Sequence, residues 1–400
     1  MRRKGRLRFD DANTKRTQNK YKLLDTHIAN CVRTPFRKCW NFMENTEYHQ
    51  IREAYRQTSF DLDGCPKRYV FILTNKCNLS CSFCFQDRKG LPNKMTASDW
   101  IAVSDKLPDS SHITLTGGEP LAFGGFTEVL RHISKRHTVN IICNGVLLNK
   151  DLIDLFTEVG SVQILSVSID TIGNYNRDVT PTQYEKMVET LQYLREKQQA
   201  KETNIILDTK TVVTDMDSHS LFDIYKHCVE NLGSETHSFQ FFKGSPVQHS
   251  DKMFHFDSIH DTPEPYEYQT IDVIANEFEK IRAYCAKHNT RCFSHPKFID
   301  FSDFSQNYLE ILNTTINKLV FESQDYEPCK APWESVHINA DGATFPCLAV
   351  NFGDIRHFGS VEDLFAGDVA TNFRGLLRQC GTFQACHRCG YLKLAQGSEN

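Results

Sequence analysis

The chain has 400 residues, 46 Lys or Arg against 50 Asp or Glu, a formal net charge of -4, and fifteen cysteines. That length leaves room for more than one domain, and the near-neutral balance excludes a globally basic nucleic-acid binder, though not a local patch. No apolar run approaches bilayer-spanning length, and Met1 to Arg8 is basic without the apolar stretch of a secretory signal, so a cytoplasmic protein is expected. An odd cysteine count in a long chain, with eight cysteines falling between Cys77 and Cys84 or between Cys329 and Cys389, favours metal sites over a disulfide scaffold. The other seven (Cys31, Cys39, Cys65, Cys143, Cys228, Cys285 and Cys292) read mostly as buried small hydrophobes.

Residues 1–66 form a basic N-terminal extension, with twelve Lys or Arg against three Asp or Glu in the first forty positions. It reads either as a solvated arm that docks on the rest or as an arm for nucleic acid or an acidic peptide. From 67 to 245 strand and helix alternate. Runs rich in β-branched residues at Val70–Leu73, Ile113–Leu115, Val139–Ile142, Ile164–Ile169, Ile205–Val213 and Phe239–Phe242 are predicted strands. Ser98–Lys106, Phe126–Ser134, Lys150–Glu158, Gln183–Lys197 and Ser218–Leu232 are predicted helices, the first capped around Thr96 to Asp99. This alternation predicts an α/β fold of βα units around a parallel sheet, and six strands suggest a partial barrel. Residues 246–328 read as a connecting helical region, with helices at Tyr268–His288 and Leu309–Phe321 and an uninformative stretch from His288 to Phe304.

Ligands of parallel α/β folds sit at the C-terminal strand ends, and the unusual polar residues cluster there. Cys77 follows the first strand, Gly117, Gly118 and Glu119 the second, Asn144 and Gly145 the third. Ser168 and Asp170 end the fourth, and Lys210 lies in the fifth. Polar residues on five consecutive strands have no packing reason and read as a site.

The segment Cys77-Asn78-Leu79-Ser80-Cys81-Ser82-Phe83-Cys84 has the spacing Cys-x3-Cys-x2-Cys, which would leave one iron of a cubic cluster without a protein thiolate. With Thr116-Gly117-Gly118-Glu119-Pro120 ending the next strand, it resembles the radical S-adenosylmethionine (SAM) enzymes. A structural zinc site also uses short Cys spacings, but gives no reason for Glu119 in a glycine-rich turn. The resemblance implies a (β/α)6 partial barrel in which Cys77, Cys81 and Cys84 hold a [4Fe–4S] cluster that reduces SAM to methionine and a 5'-deoxyadenosyl radical. It places Gly117, Gly118 and Glu119 at the SAM amine, Ser168 and Asp170 at ribose or carboxylate, and Arg177 at the methionine carboxylate. Asn144 is counted in the same site, Lys210 near SAM or substrate, and Phe85 near adenine.

Residues 329–400 hold Cys329, Cys347, Cys380, Cys386 and Cys389. Cys329-x12-Gly342-x4-Cys347 encloses a predicted hairpin with an Asp341-Gly342 turn, and Cys386-x2-Cys389 adds a second pair. The layout is similar to the SPASM and shorter twitch domains of radical SAM enzymes. Five cysteines cannot fill the seven-cysteine pattern, so one auxiliary [4Fe–4S] cluster on Cys329, Cys347, Cys386 and Cys389 is expected, with Cys380 an alternative or nearby thiol; zinc would use the same atoms.

The resemblance implies an oxidoreductase that abstracts hydrogen from an unactivated C–H bond. Its first expected substrate is a ribosomally made peptide, oxidised or cross-linked, with an external one-electron reductant such as a flavodoxin or ferredoxin. Alternatives are a carbohydrate or aminocyclitol dehydrogenase, a peptide epimerase, a nucleic-acid modifier, or a catalytically inert relative. His237, His249, His337 and His387 are candidate bases, each read as a surface or loop residue.

Overall fold

The computed structural model describes residues 65–395 apart from 85–92, 243–265, 302, 304, 319–321, 348–349, 384–385 and 387–388. Expectations for the basic arm, Cys31, Cys39, Phe85, His249 and His387 lie outside the described residues.

Six strands run in parallel succession: β1 (Arg68–Ile72), β2 (His112–Thr116), β3 (Thr138–Cys143), β4 (Val162–Ser168), β5 (Ile206–Val213) and β6 (Thr236–Phe241). Between them the chain returns through α1 (Ala97–Asp105), α2 (Phe126–Ile133), α3 (Lys150–Val159), α4 (Pro181–Gln199) and α5 (Leu221–Glu230). The helix starts follow from local chemistry. At α1 the Thr96 hydroxyl accepts from the Asp99 N–H while the Asp99 carboxylate accepts from the Thr96 N–H. Thr180 and Gln183 repeat this box at α4, with Pro181 in the first turn.

Alternation along the strands separates two environments. Tyr69, Phe71, Ile113, Leu115, Leu165 and Val167 are buried under the helices together with Trp100, Phe156 and Leu191. The opposite face, inside the curve of the sheet, carries Thr114, Asn140, Ser166, Asp208 and Ser238.

The sheet extends past the expected six strands on both sides, with one further strand beside β6 and three beyond β1. On one side β7 (Arg291–His295), reached through α6 (Ile271–His288), pairs parallel with β6. It lies in the stretch read as a connecting helical region. Burial alternates along it, but residue type does not follow: Ser294 is buried while Phe293 is 46% exposed, so the usual apolar-in, polar-out pattern is absent. The predicted Leu309–Phe321 helix is a short turn, α7 (Tyr308–Ile311), continued by a π-helical segment over Leu312–Ile316.

On the other side the Asp-Gly hairpin forms as predicted, β8 (Ser335–Ile338) pairing antiparallel with β9 (Ala343–Phe345). Gly342 turns it at φ +92°, where an added Cβ would lie 2.5 Å from Asp354 Oδ1. Unforeseen from the sequence, β8 also pairs parallel with β1, Arg68 opposite Ser335 and Val70 opposite His337, and β10 (Gly353–Asp354) forms the edge. After α8 (Ala331–Glu334), helices α9 (Val361–Ala366) and α10 (Asp368–Cys380) pack Phe365, Phe373 and Leu377 into the first core. A second core gathers Phe239 and Phe241 with Phe278 of α6, Tyr308, Leu312 and Leu392. No helix among the described residues is long and apolar enough to cross a membrane.

Candidate functional site

The cysteine loop leaves the C-terminal end of β1 and is stitched to the turn after β2. Leu73 N–H donates to Thr116 O at 2.9 Å, Gly118 N–H to Thr74 O at 2.6 Å and Glu119 N–H to Lys76 O at 2.9 Å. The ladder between β1 and β2 thus runs on almost to Cys77. This explains both glycines by close backbone approach: a Cβ on Gly117 would lie 2.6 Å from Thr74 O, and one on Gly118 would lie 2.3 Å from Lys76 O. Within the loop Leu79 and Phe83 are buried, while Cys77, Cys81 and Cys84 remain partly exposed. The apolar pair anchors the loop and leaves three thiols at its surface.

Glu119 joins two strand ends. It is 0% exposed, its Oε2 accepting the Asn144 N–H at 2.7 Å and its Oε1 the Leu121 N–H at 3.1 Å. Burial pushes its carboxyl up to about 7, against the opposing pull of those two N–H groups and of Arg177. Because the folded protein binds this proton more tightly than an unfolded Glu, stability is lost as pH rises from the ordinary value of 4.5 through about 7. The cluster-free wild type should therefore lose on the order of 3 kcal/mol relative to Glu119→Gln between pH 5 and 8, read from denaturant midpoints. A pH-independent difference between the two proteins would contradict the burial assigned to Glu119. Asn144 continues the chain of contacts, its Nδ2 donating to Asn78 Oδ1 at 2.8 Å and reaching Cys77 Sγ at 3.8 Å.

Arg177 approaches from the β4 side. Its Nη1 lies 3.7 Å from Cys81 Sγ, its guanidinium sits 5.2 Å from the Phe83 ring centre, and its Nε is bonded to Asp170. The arginine side chain is 13% exposed and the aspartate is buried. Burial works against the arginine's charge, but Asp170 and Cys81 outweigh it and raise its pKa. Burial pushes the Cys81 thiol up, with Arg177 pulling the other way. Asp170 also accepts from the Val212 N–H of β5 at 2.5 Å, so both its oxygens have protein partners. Ser168 contributes its carbonyl, which accepts from Asn174 Nδ2, and Asn174 Oδ1 in turn accepts from the Asp170 N–H.

Lys210 lies one pleat deeper, on the inner face of the sheet beside Ser168. Its Nζ is 2.8 Å from Asp208 Oδ2, and Ser166 and Thr236 donate to the same carboxylate at 2.8 Å each. The ammonium end keeps partial access, the side chain being 29% exposed. His295 faces this group from β7. Its pKa is lowered to about 4, first by burial and then by Lys210 and Lys297.

In the C-terminal part Cys329, Cys347, Cys386 and Cys389 are close enough to act on one another. Burial, then Cys389 and Cys347, push the Cys329 thiol up. Burial, then Cys329, Cys347 and Cys389, do the same to Cys386. Cys380 closes α10, its carbonyl accepting from the Ser323 hydroxyl at 3.5 Å. Among the described residues no three His, Cys, Asp or Glu side chains converge on a single-ion position.

The histidine reading needs correction. His237 is fully buried under the helices, sharing a hydrogen with Thr209 Oγ1 through Nδ1, and burial lowers its pKa to about 3. His337 is buried on the inner face of β8. Neither is a surface or loop residue. Sequence reasoning also passed over Asn93, whose Oδ1 accepts from Thr74 and from the Asn75 N–H, and Asn174, which ties the Asp170 turn. Gly173-Asn174, with Asn174 at φ +51°, carries a turn signal that finds the second; nothing in the sequence points to the first.

Comparison with known proteins completes the picture. The radical SAM superfamily matches residues 71–217, and the SPASM iron–sulfur cluster-binding domain matches residues 329–390. The chain is 30% identical over 206 residues to the sporulation killing factor maturation protein SkfB of Bacillus subtilis, covering 48% of each chain. It is 20% identical over 342 residues to the antilisterial bacteriocin subtilosin biosynthesis protein AlbA of the same organism, covering 81% of this chain and 66% of AlbA. The fold is similar to that of Streptococcus suis SuiB bound to its precursor peptide SuiA, with a TM-score of 0.55 at 15% identity over 81% of this chain and 71% of SuiB. The chain therefore spans about half the length of SkfB and two thirds of AlbA. With its three-cysteine loop stitched to the Gly-Gly-Glu turn, the chain carries a radical SAM superfamily domain over residues 71–217 and a SPASM iron–sulfur cluster-binding domain over residues 329–390.

Proposed function

We propose that the protein cleaves SAM reductively and uses the product to oxidise or cross-link a ribosomally made peptide. The observation that carries the reading is the convergence of Cys77, Cys81 and Cys84 with Glu119, Asn144 and Arg177 at the ends of β1 to β4. The donor set fits the expected group: three partly exposed thiols on one short loop, one beside a guanidinium, with a glycine cradle that a Cβ would fill. Cys77, Cys81 and Cys84 would hold a [4Fe–4S] cluster, which when bound and reduced would supply one electron for splitting SAM to methionine and a 5'-deoxyadenosyl radical able to take hydrogen from carbon.

The remaining roles belong to the chain's own side chains. Glu119, buried and costly as a carboxylate, is stabilised by a donor such as the SAM amine. Arg177 offers its remaining N–H groups to the methionine carboxylate. Leu79 and Phe83 keep water from beneath the loop. Ser166, Lys210 and Ser238 on the inner face orient a polar substrate below the strand ends. The four C-terminal thiols would hold one auxiliary cluster, a route for the electron left after hydrogen abstraction, with a flavodoxin or ferredoxin supplying the first.

The peptide class is supported by the names of SkfB and AlbA, a maturation protein and a bacteriocin biosynthesis protein. The hydroxyl-rich inner face around Asp208 and Lys210 suits a carbohydrate or aminocyclitol as well. A precursor peptide encoded beside the gene, assayed against an aminoglycoside alcohol, separates these readings. The test of the chemistry is anaerobic reconstitution of wild type beside C77A/C81A/C84A. The variant should bind about half the iron and form no 5'-deoxyadenosine, a loss of at least about a thousandfold. Equal iron in both, with no SAM cleavage by either, would overturn the assignment.

A further inference from the structure

We infer that Arg177, beyond any contact with SAM, is a tuning residue for the proposed cluster: it donates to the Cys81 sulfur and raises the reduction potential of the group held by Cys77, Cys81 and Cys84. This rests on the radical SAM reading and adds a role to an arginine expected only to meet the methionine carboxylate.

Three contacts fix the guanidinium before any ligand enters. Asp170 takes Nε, and Asp170 is itself held by the Val212 N–H and by a turn that Asn174 pins from both ends. The Phe83 ring lies under the guanidinium at 5.2 Å. Nη1 then falls 3.7 Å from Cys81 Sγ, within reach of an N–H···S bond. The position is coupled to the loop itself, because Phe83 stands between Cys81 and Cys84 in sequence. Among the described residues the side-chain donor at Cys77 is neutral, Asn144 Nδ2 at 3.8 Å, so of these two contacts the charged one falls on Cys81.

A reduced cluster carries one more negative charge than an oxidised one. A fixed cation and a hydrogen bond at one of its sulfurs therefore favour the reduced state, and more strongly where water is excluded. Removing them must move the potential downward. A residue that served SAM alone would leave the SAM-free potential unchanged.

The experiment is a potentiometric titration without SAM of the reconstituted full chain, comparing wild type, Arg177→Lys and Arg177→Gln. It follows the reduced-cluster EPR signal that is missing from C77A/C81A/C84A. The expected result is a shift to lower potential in Arg177→Gln and a smaller shift in Arg177→Lys, which keeps charge but loses the planar fork. A wild-type midpoint in Arg177→Gln, accompanied by weakened SAM binding, overturns the inference while leaving the proposed function standing. Should Arg177→Gln take up no cluster, Arg177→Lys decides, and an unmoved midpoint there also overturns it. Failure of the wild type to bind iron at these cysteines overturns the proposed function and this inference together.

Discussion

Gly118→Ala is expected to reduce SAM cleavage by at least about a hundredfold while Gly124→Ala remains close to wild type. A Cβ at position 118 would lie 2.3 Å from Lys76 O, 2.7 Å from Lys76 C and 2.9 Å from Asn75 O. All three are backbone atoms of the cysteine loop, so no side chain can rotate away. The neighbouring bonds, Gly118 N–H to Thr74 O and Glu119 N–H to Lys76 O, tie the same two segments together and prevent easy separation. Relief requires the loop to move outward by about an ångström, which shifts Cys77 relative to Glu119 and Asn144. Displacement of that size at a reacting centre costs about a hundredfold. Gly124 lies six residues on, in the same connection between β2 and α2, and a Cβ there meets nothing within 4 Å. Measuring iron content and 5'-deoxyadenosine for both variants separates displacement from loss of the cluster. Full activity in Gly118→Ala would mean that the loop and the glycine turn are not held together as described.

Much of this was legible because the relevant signals are local. The six parallel strands announce themselves through β-branched runs, and the Thr96 box through hydroxyl and carboxylate spacing. The cysteine loop and Gly117-Gly118-Glu119 sit at strand ends, where a motif can be placed once the strands are known. The long-range pairings were not legible. Nothing in Ser335–Ile338 says that it pairs with Arg68–Phe71 in addition to forming its hairpin, because a strand buried on both sides suits several neighbours. β7 was hidden because Phe293 is exposed and Ser294 is buried, the reverse of an apolar-in, polar-out strand. The partner of Arg177 was out of reach for the same reason: Asp170 is seven residues away, but Cys81 is ninety-six.

The second large effect is expected from C386A/C389A, which should loosen the β7 edge of the sheet and the C-terminal segment packed beside it while the middle strands keep their protection. Cys329 and Cys347 pack on the core beneath β1 to β5, whereas Cys386 and Cys389 pack on the core around β6, α6 and Tyr308. The four thiols therefore stand at the junction of two apolar cores that β8 and β7 approach from opposite ends of the sheet. The chain beyond Cys389 crosses this junction. Tyr391 OH meets the Ser335 hydroxyl at 3.2 Å and accepts from Arg68 Nη1 at 3.4 Å, while Lys393 and Leu394 bridge to Lys297 and Tyr326. Glu327 N–H donates to Lys393 O and Ala395 N–H to Asp325 O, both at 2.9 Å. Among the described residues these few contacts tie 390–395 to the rest of the fold, and a metal group, if held on the four thiols, would add its binding energy to the closed form only. Hydrogen exchange in the reconstituted variant should then accelerate by about a hundredfold, roughly 3 kcal/mol, at 291–295, 322–327 and 389–395. Strands β2 to β4, closed by their own neighbours and helices, should be little changed. Exchange that rises equally in all strands would make the four-thiol site a contributor to global stability alone. Exchange that rises nowhere would show that the two cores hold the seam without it.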